Sequence, residues 1–228
     1  MKHHFTFLRA TLLLCFLLQM PAVWSQSRYC LSFADQLADV WYPIENLQLE
    51  YRSGNKTLWN GGASFKPVTN DKKLDKLLKK DAVLIMHNDS LFINCYGLRY
   101  KNTPFGYWYA PACPYEDTEL LFVAMNYKAI NKTNNMAAAF GIIGGAIAAS
   151  SSSHDFMCYV FHPGSETTEV IDRQFMLGLL EGHDDLSADY QKLSKKESHS
   201  PLVVLPILRQ LGLIKKWPIE EPDTTAGE

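Results

Sequence analysis

The sequence predicts an α+β domain: a mostly antiparallel sheet with several helices, a glycine-zipper helix and a helical C-terminal portion. Short apolar or alternating runs, separated by turn residues, fill residues 47–171 and are typical of hairpins. From residue 172 the apolar residues recur at helical spacing. The charged fraction of 20% and the aromatic fraction of 12% favour a packed globular protein over a disordered one.

The N-terminus is typical of a secretory signal peptide. Basic residues precede an apolar run at residues 10–18, and small residues around Ser25 suit a cleavage site. The run is too short to cross a hydrocarbon core of roughly 30 Å comfortably. We therefore expect an exported protein, in the periplasm, associated with the outer membrane or secreted. The predicted organisation is a signal peptide at residues 1–25, one α+β domain at 26–216 and a polar tail at 217–228.

Net charge and cysteine content limit the classes of function. A formal net charge of −2 gives no electrostatic reason to bind nucleic acid. Four cysteines follow the leader: Cys30, Cys95, Cys113 and Cys158. An exported protein with this even number of cysteines can form two disulfides, but cysteines in apolar strands also occur as free thiols. The sequence leaves the disulfide state open.

The first elements of the domain are a short helix and a hairpin. Ser32 and Asp35 have capping-box spacing, which predicts a helix over residues 33–40. Alternating residues on both sides of Ser53-Gly54-Asn55 predict a hairpin.

A basic helix and a second hairpin come next. DKKLDKLLKK has a leucine stripe, with Thr69 or Asn70 as the expected N-cap. Lys79 and Lys80 suit its C-terminal end, and its other lysines form a solvated face. The run AVLIMHNDSLFINCYGLRY predicts two strands joined at Asn88-Asp89.

The rest of the domain alternates loops, strands and helices. TPFGYWYAPACPYED is expected to be a loop, followed by the strands ELLFVAMN, FMCYVFH and TTEVI. Two amphipathic helices follow, separated at Gly182. A short last helix, ILRQL, is predicted between Pro206 and Gly212.

The segment AAAFGIIGGAIAAS, residues 137–150, has no charge. As a helix it presents one face of small residues, Ala137, Gly141, Gly145 and Ala149, which suits close contact with another helix or a membrane surface. Residues 137–149 would extend only about 20 Å, too short to span a bilayer. Packing of this helix on its own domain is the alternative. No Lys follows the glycines, so a phosphate-binding loop is not predicted.

The aromatic loop is the best candidate for a ligand-facing surface. Tyr107, Trp108 and Tyr109, with Phe105 and Tyr115, offer flat rings that stack on sugars or on partner side chains. The alternative is that these rings cover one end of the core of the sheet.

No catalytic, cofactor-binding or metal-binding site is predicted. His154 and His162 lie too far apart along an extended strand to share one ion. The polar run EGHDD, from Glu181 to Asp185, fits the end of one helix and the start of the next. No serine lies in a GxSxG motif.

Several segments resemble an uncharacterised family of exported proteins from gut bacteria of the Bacteroides group. They are RSGNKTLWNGG, TNDKKLDKLLKKDAVLIM, DSLFINCYGLRY, the glycine segment and VLPILRQLGLI. The similarity runs from Tyr29 to Ile214. It implies a bacterial source and an envelope or secreted location, but no activity, cofactor or site residue.

Two functional hypotheses follow. The leading one is an exported envelope protein without an evident catalytic site, which contacts a membrane surface or a second copy through Ala137, Gly141, Gly145 and Ala149. The second is a soluble exported module that binds a ligand, such as a glycan, through Tyr107, Trp108 and Tyr109. An enzyme is the less favoured class.

Overall fold

The computed structural model describes residues 27–52, 63–126 and 156–217. Its strands are β1 (Ser27–Cys30), β2 (Tyr42–Pro43), β3 (Gln48–Tyr51), β4 (Phe65–Val68), β5 (Leu84–His87), β6 (Ser90–Asn94), β7 (Arg99–Tyr100), β8 (Thr103–Pro104), β9 (Tyr109–Tyr115), β10 (Glu119–Met125), β11 (Phe156–His162) and β12 (Thr167–Val170). Its helices are α1 (Phe33–Leu37), α2 (Lys72–Lys80), α3 (Arg173–Leu179), α4 (Asp184–Gln191) and α5 (Pro201–Gln210), with a 3-10 turn at Glu197–His199. The fold is mixed α+β, with strands dominating.

One antiparallel sheet contains most of the strands. Its order is β12-β11-β10-β9-β6-β5-β1-β2, with the β3–β4 pair joined to β9 through Phe65 and Tyr109. β7 and β8 form a separate ribbon. Every pairing among the described strands is antiparallel, which confirms the predicted sheet class.

Side chains on the two faces of the sheet enter different cores because they alternate along each strand. On one face, Leu121 and Val123 pack with residues of α3, α4 and α5. Further along this face, Tyr109 packs with Leu78 of α2. On the opposite face, Phe122 belongs to a core that includes Phe105 and Tyr159.

The sheet is strongly curled. Phe33, at the start of α1 and just after β1, lies with its ring 4.5 Å from that of Phe161 in β11. Five strand spacings separate β1 from β11 in the sheet order, which is about 24 Å in a flat sheet. Ring contact across this separation therefore requires the sheet to close around the core that contains Phe122.

The hairpin predicted at Asn88-Asp89 is confirmed. Leu84 pairs with Ile93, and His87 pairs with Ser90. Asn88 and Asp89 have φ values of 48° and 57°, the left-handed conformation that a two-residue type I′ turn requires.

The expected loop at residues 103–117 is wrong over most of its length, because β8 occupies its first two residues and the central strand β9 occupies seven more. Pro111 and Pro114 lie within this strand. Proline is unusual in a central strand because it cannot donate to the ladder. Here buried neighbours such as Ala110 and Ala112, packed between β6 and β10, outweigh that local preference.

The capping residues and first residues of three helices can be compared with those that the sequence predicts. The capping box of α1 is confirmed, with Ser32 accepting from the Asp35 N–H. The N-cap of α2 is Asp71, not the predicted Thr69 or Asn70, and it accepts from Lys73 N. The last helix begins at Pro201 and contains Pro206, which the sequence placed at its first turn.

The glycine segment lies outside the described residues, as do His154 and the predicted turn at Ser53-Gly54-Asn55. Met125 and Phe156, which flank residues 126–155, are paired directly across β10 and β11. Trp217, the first residue of the predicted tail, is buried in the core beneath α5. Within the part of the chain that is described, no helix has the length and apolarity needed to cross a membrane.

Candidate functional site

The three predicted ligand-binding residues differ in their exposure to solvent. Tyr107 is 40% exposed, and Trp108 is half-buried. Tyr109 is fully buried and packs against α2, so it supports the site from the core and does not face a ligand. Phe105 and Tyr115 are also buried.

Tyr109 and its cross-strand partner Asn94 fix the end of α2. The Tyr109 hydroxyl donates to the Leu78 carbonyl at 2.7 Å. The Asn94 amide donates to the same carbonyl at 3.2 Å and to Ala82 at 2.8 Å. These carbonyls lack partners within the helix, so the two side chains satisfy groups that burial would otherwise leave unpaired. Burial raises the pKa of the Tyr109 hydroxyl well above its ordinary value, which keeps it a donor.

This anchoring places Lys79 over the aromatic rings. Its ammonium lies 4.9 Å from the ring centre of Tyr107 and 5.2 Å from that of Trp108. Two more cations approach Trp108, with Lys66 at 5.8 Å and Arg52 at 5.7 Å. Each distance lies within the range of a cation–π contact.

Arg52 differs from the two lysines because it is buried. It is 7% exposed and donates to the Ala63 carbonyl at 3.1 Å. Burial lowers the pKa of its guanidinium from the ordinary value of 12.5. Arginine stays charged in proteins, so Arg52 places a fixed positive charge beneath the Trp108 ring.

Tyr96 completes the exposed surface. Its ring stacks on that of Tyr107 at 5.3 Å with an interplanar angle of 16°, and 42% of the residue is exposed. The Asn94 side-chain oxygen accepts from the Tyr96 N–H at 3.0 Å and so fixes its backbone. We call the set formed by Tyr96, Tyr107, Trp108, Lys66 and Lys79 the aromatic–cation surface.

Trp108 has an unusual backbone conformation. Its φ is 82°, in a region that bulky residues rarely adopt, and Gly106 nearby has a φ of 91°. The Trp108 carbonyl accepts from Cys95 N at 2.8 Å, which ties this turn to the end of β6. Such strained positions persist where the surrounding structure holds them, and they cluster at binding sites.

The chemistry of the aromatic–cation surface suits a ligand with flat apolar faces and negative groups. Exposed tyrosine rings can stack on the faces of sugar rings. Clustered ammonium groups repel one another, and an anion bound between them relieves that repulsion. Glu50 already pairs with Lys66 at 3.4 Å, but both side chains are largely solvated and the pair is weak.

The other candidate polar residues that the structure describes take part in local contacts of the fold. His162 Nδ1 lies within hydrogen-bond distance of Glu119, at 2.6 Å, and its Nε2 lies 3.7 Å from Glu169. In the EGHDD run, Gly182 has a φ of 85° and His183 is the N-cap of α4, as expected for a helix junction. No cluster of three metal-ligating side chains occurs among the described residues.

All four cysteines that follow the predicted leader are free and buried. Burial raises the pKa of the Cys30 and Cys113 thiols to about 12. Burial also raises the pKa values of Cys95 and Cys158 well above the ordinary thiol value. Thiols in this state are inert because the thiolate is the reactive form.

Sequence reasoning did not identify Tyr96, Lys66, Lys79 or Arg52 as part of the surface. Lys79 was assigned to the C-terminal end of a helix, which is correct but leaves its neighbours unknown. A usable signal was present in the repeated lysines of α2 and the closely spaced aromatic residues that follow Asn94. These lysines and rings lie close together only because α2 packs against the sheet. This is a tertiary contact, which the sequence pattern does not show.

Comparison with known proteins identifies the family. A model for a family of unknown function (DUF6563) matches residues 28–215. The chain belongs to this family. The expectation of an uncharacterised family is thus confirmed, and the matched region includes the whole aromatic–cation surface. No curated protein and no solved structure shows significant similarity to the chain.

Proposed function

We propose that this protein is an exported binding module that recognises a carbohydrate bearing carboxylate or sulfate groups. The single observation that supports this most strongly is the position of Lys79, whose ammonium lies over Tyr107 and Trp108 beside the exposed Tyr96–Tyr107 stack. A sugar ring stacks on the outer face of Tyr96, because Tyr107 is covered by Tyr96 on one face and by Lys79 on the other, and the acidic substituents contact Lys79 and Lys66. The signal-peptide pattern of residues 1–25 supports export, and the resemblance to Bacteroides-group proteins supports a bacterial envelope or secreted location.

A glycan array with the mature protein tests this proposal. The parent should bind acidic glycans more tightly than their neutral counterparts. Lys79→Ala should weaken acidic binding by about tenfold, because a charge-assisted contact is lost. Tyr107→Ala should weaken binding of both classes, because it removes the ring that supports the stacking face of Tyr96, and stacking does not depend on charge.

Lys80→Ala is the matched control. Lys80 follows Lys79 on the same helix and is exposed, so removing it changes the net charge equally without touching the rings. It should bind within about twofold of the parent, since an exposed charge contributes little. If Lys79→Ala and Tyr107→Ala bind every array hit as the parent does, the proposal is wrong.

Contact with a membrane surface or with a second copy of the chain is the second candidate function. Its support is the small-residue face of Ala137, Gly141, Gly145 and Ala149 in the sequence. Because Met125 and Phe156 are paired, both ends of the connecting segment leave the sheet at one place. Replacing Gly141 and Gly145 with Leu should abolish membrane partition or self-association while preserving the fold. Unchanged partition and oligomer size would contradict this function.

A further inference from the structure

A cleft of about 650 Å³ lies at the end of the sheet opposite the aromatic–cation surface. It forms where β9 extends beyond β6: the last pair between these strands is Leu91 with Ala112, whereas β9 continues to Tyr115. Tyr109 and Tyr115 are six residues apart in one strand, about 20 Å. The cleft is therefore a separate site, independent of carbohydrate binding.

The base of the cleft is mainly apolar. Trp41, Met86, Leu91 and Leu213 line it. The guanidinium of Arg28 lies 5.0 Å from the centre of the Trp41 ring, which helps to hold that ring in place. Concave sites of this size with an apolar lining and a few polar groups are typical of small-ligand sites.

One polar atom in the lining lacks a partner. The side-chain oxygen of Gln36 is buried, and no donor among the described residues reaches it. An unpaired buried acceptor costs about 1–3 kcal/mol. The oxygen has almost no exposed surface, so a ligand N–H group satisfies it only when the side chain, which is part of the lining, turns toward the cleft.

Charges of both signs line the same cleft. Asp89, Glu116 and Asp117 come from the β5–β6 and β9–β10 turns, whereas Lys215 and Lys216 come from the segment that follows α5. A simple anion or cation would be repelled by one of these groups. A molecule with a positive and a negative end complements both.

We propose that this cleft binds a short peptide with free termini. The peptide ammonium faces the carboxylates of Asp89, Glu116 and Asp117, and its terminal carboxylate faces Lys215 and Lys216. A peptide N–H donates to the Gln36 oxygen, and an apolar side chain packs on Trp41. The volume equals that of about 20 waters at roughly 30 Å³ each, so two or three residues fill it.

Calorimetric titration of the mature protein tests this site. The probes are Ala-Leu-Ala, Ala-Phe-Ala and Ala-Met-Ala with free termini, each compared with its N-acetylated and C-amidated forms. At least one free peptide should bind, and either cap should weaken binding by about tenfold, because a charge-assisted contact is lost. Absence of binding by all three free peptides at millimolar concentration, or equal binding by capped peptides, would overturn the proposal.

Substitutions of residues that line the cleft test whether the peptide binds there. Lys215→Ala/Lys216→Ala should weaken binding about tenfold and reduce the preference for a free carboxylate. The control is Lys195→Ala/Lys196→Ala, an adjacent exposed pair that does not line the cleft. Gln36→Leu keeps the approximate size of the side chain and removes its amide, including the unpaired acceptor, so it should fold about as stably as the parent and bind about fivefold more weakly. Equal affinity in all of these variants would place the peptide elsewhere and exclude the cleft.

Discussion

The two ends of β9 present opposite chemistry. At Tyr109, the hydroxyl is hydrogen-bonded to α2, and Lys79 and Arg52 lie over the nearby rings. At Tyr115, burial and the negative charges of three glutamates raise the pKa of the hydroxyl. One strand thus connects a cation-rich end with an end that is rich in carboxylates.

This difference shows that the overall charge says little about any single surface. A net charge of −2 is nearly neutral for the whole chain. Within the fold, however, Lys79 of α2 and Lys66 of β4 lie beside the aromatic rings, while carboxylates gather around the opposite turns. Local fields decide which ligands approach each end.

High pH should produce the largest effect, because the cores on both faces of the sheet contain buried thiols. Cys30 and Cys113 lie on opposite faces of the sheet, and burial raises both pKa values from 9.0 to about 12. Above pH 9 the unfolded chain loses these protons and the folded chain keeps them. Stability is therefore fully present below pH 9 and is lost as pH rises toward 12, by about 1.4 kcal/mol per pH unit for each thiol.

Urea unfolding of the mature protein from pH 7 to pH 11 measures this effect. The free energy of unfolding should fall by about 3 kcal/mol or more between pH 9 and pH 11. Cys30→Ala/Cys113→Ala should make the fall less steep, even though the variant is less stable at pH 7. Equal stability at pH 7 and pH 10.5 would show that folding does not raise the pKa values of these thiols.

Local features of the fold were predictable, whereas pairings between distant residues were not. Asn88 and Asp89 marked their hairpin because the turn type depends on those two residues alone. β9 was read as a loop because its prolines are local turn signals, but burial between β6 and β10 decided its conformation.

In the candidate site, too, features of neighbouring residues were predictable and contacts between distant residues were not. Tyr107 and Trp108 were identified from composition alone, since rings close together in the chain suggest a surface. Lys79 could not be placed over them, because its position depends on a hydrogen bond between Tyr109 and Leu78, 31 residues apart. Pro206 lies inside α5 because the helix begins earlier than predicted, at Pro201, where a proline also suits the first turn.

Removing the hydrogen bonds that hold the end of α2 should affect the Tyr109 end of β9 and leave the Tyr115 end unchanged. Asn94→Ala deletes the amide that donates to Leu78 and Ala82 and accepts from Tyr96. We expect a loss of about 3 kcal/mol, because buried groups are left unpaired. Tyr109→Phe removes one donor from the same end and should cost about 1–2 kcal/mol.

Urea unfolding measures the loss of unfolding free energy in each variant. Glycan-binding and peptide-binding assays show which of the two sites is affected. Asn94→Ala should weaken glycan binding, because Lys79 and Tyr96 lose their support. Peptide binding in the cleft, about 20 Å away, should remain within about twofold of the parent. Equal loss at both sites would mean that the two ends are not independent.

The smallest effects are expected at the carboxylate-rich end, where one histidine contacts two glutamates. His162 lies 2.6 Å from Glu119 but 3.7 Å from Glu169, and Glu169 is the more exposed of the two. Glu119→Gln should therefore cost about 1 kcal/mol of unfolding free energy, and Glu169→Gln less than about 0.5 kcal/mol. Urea unfolding of the two variants side by side measures the difference. Equal losses would show that distance and exposure do not rank these contacts, and that the network acts as one unit.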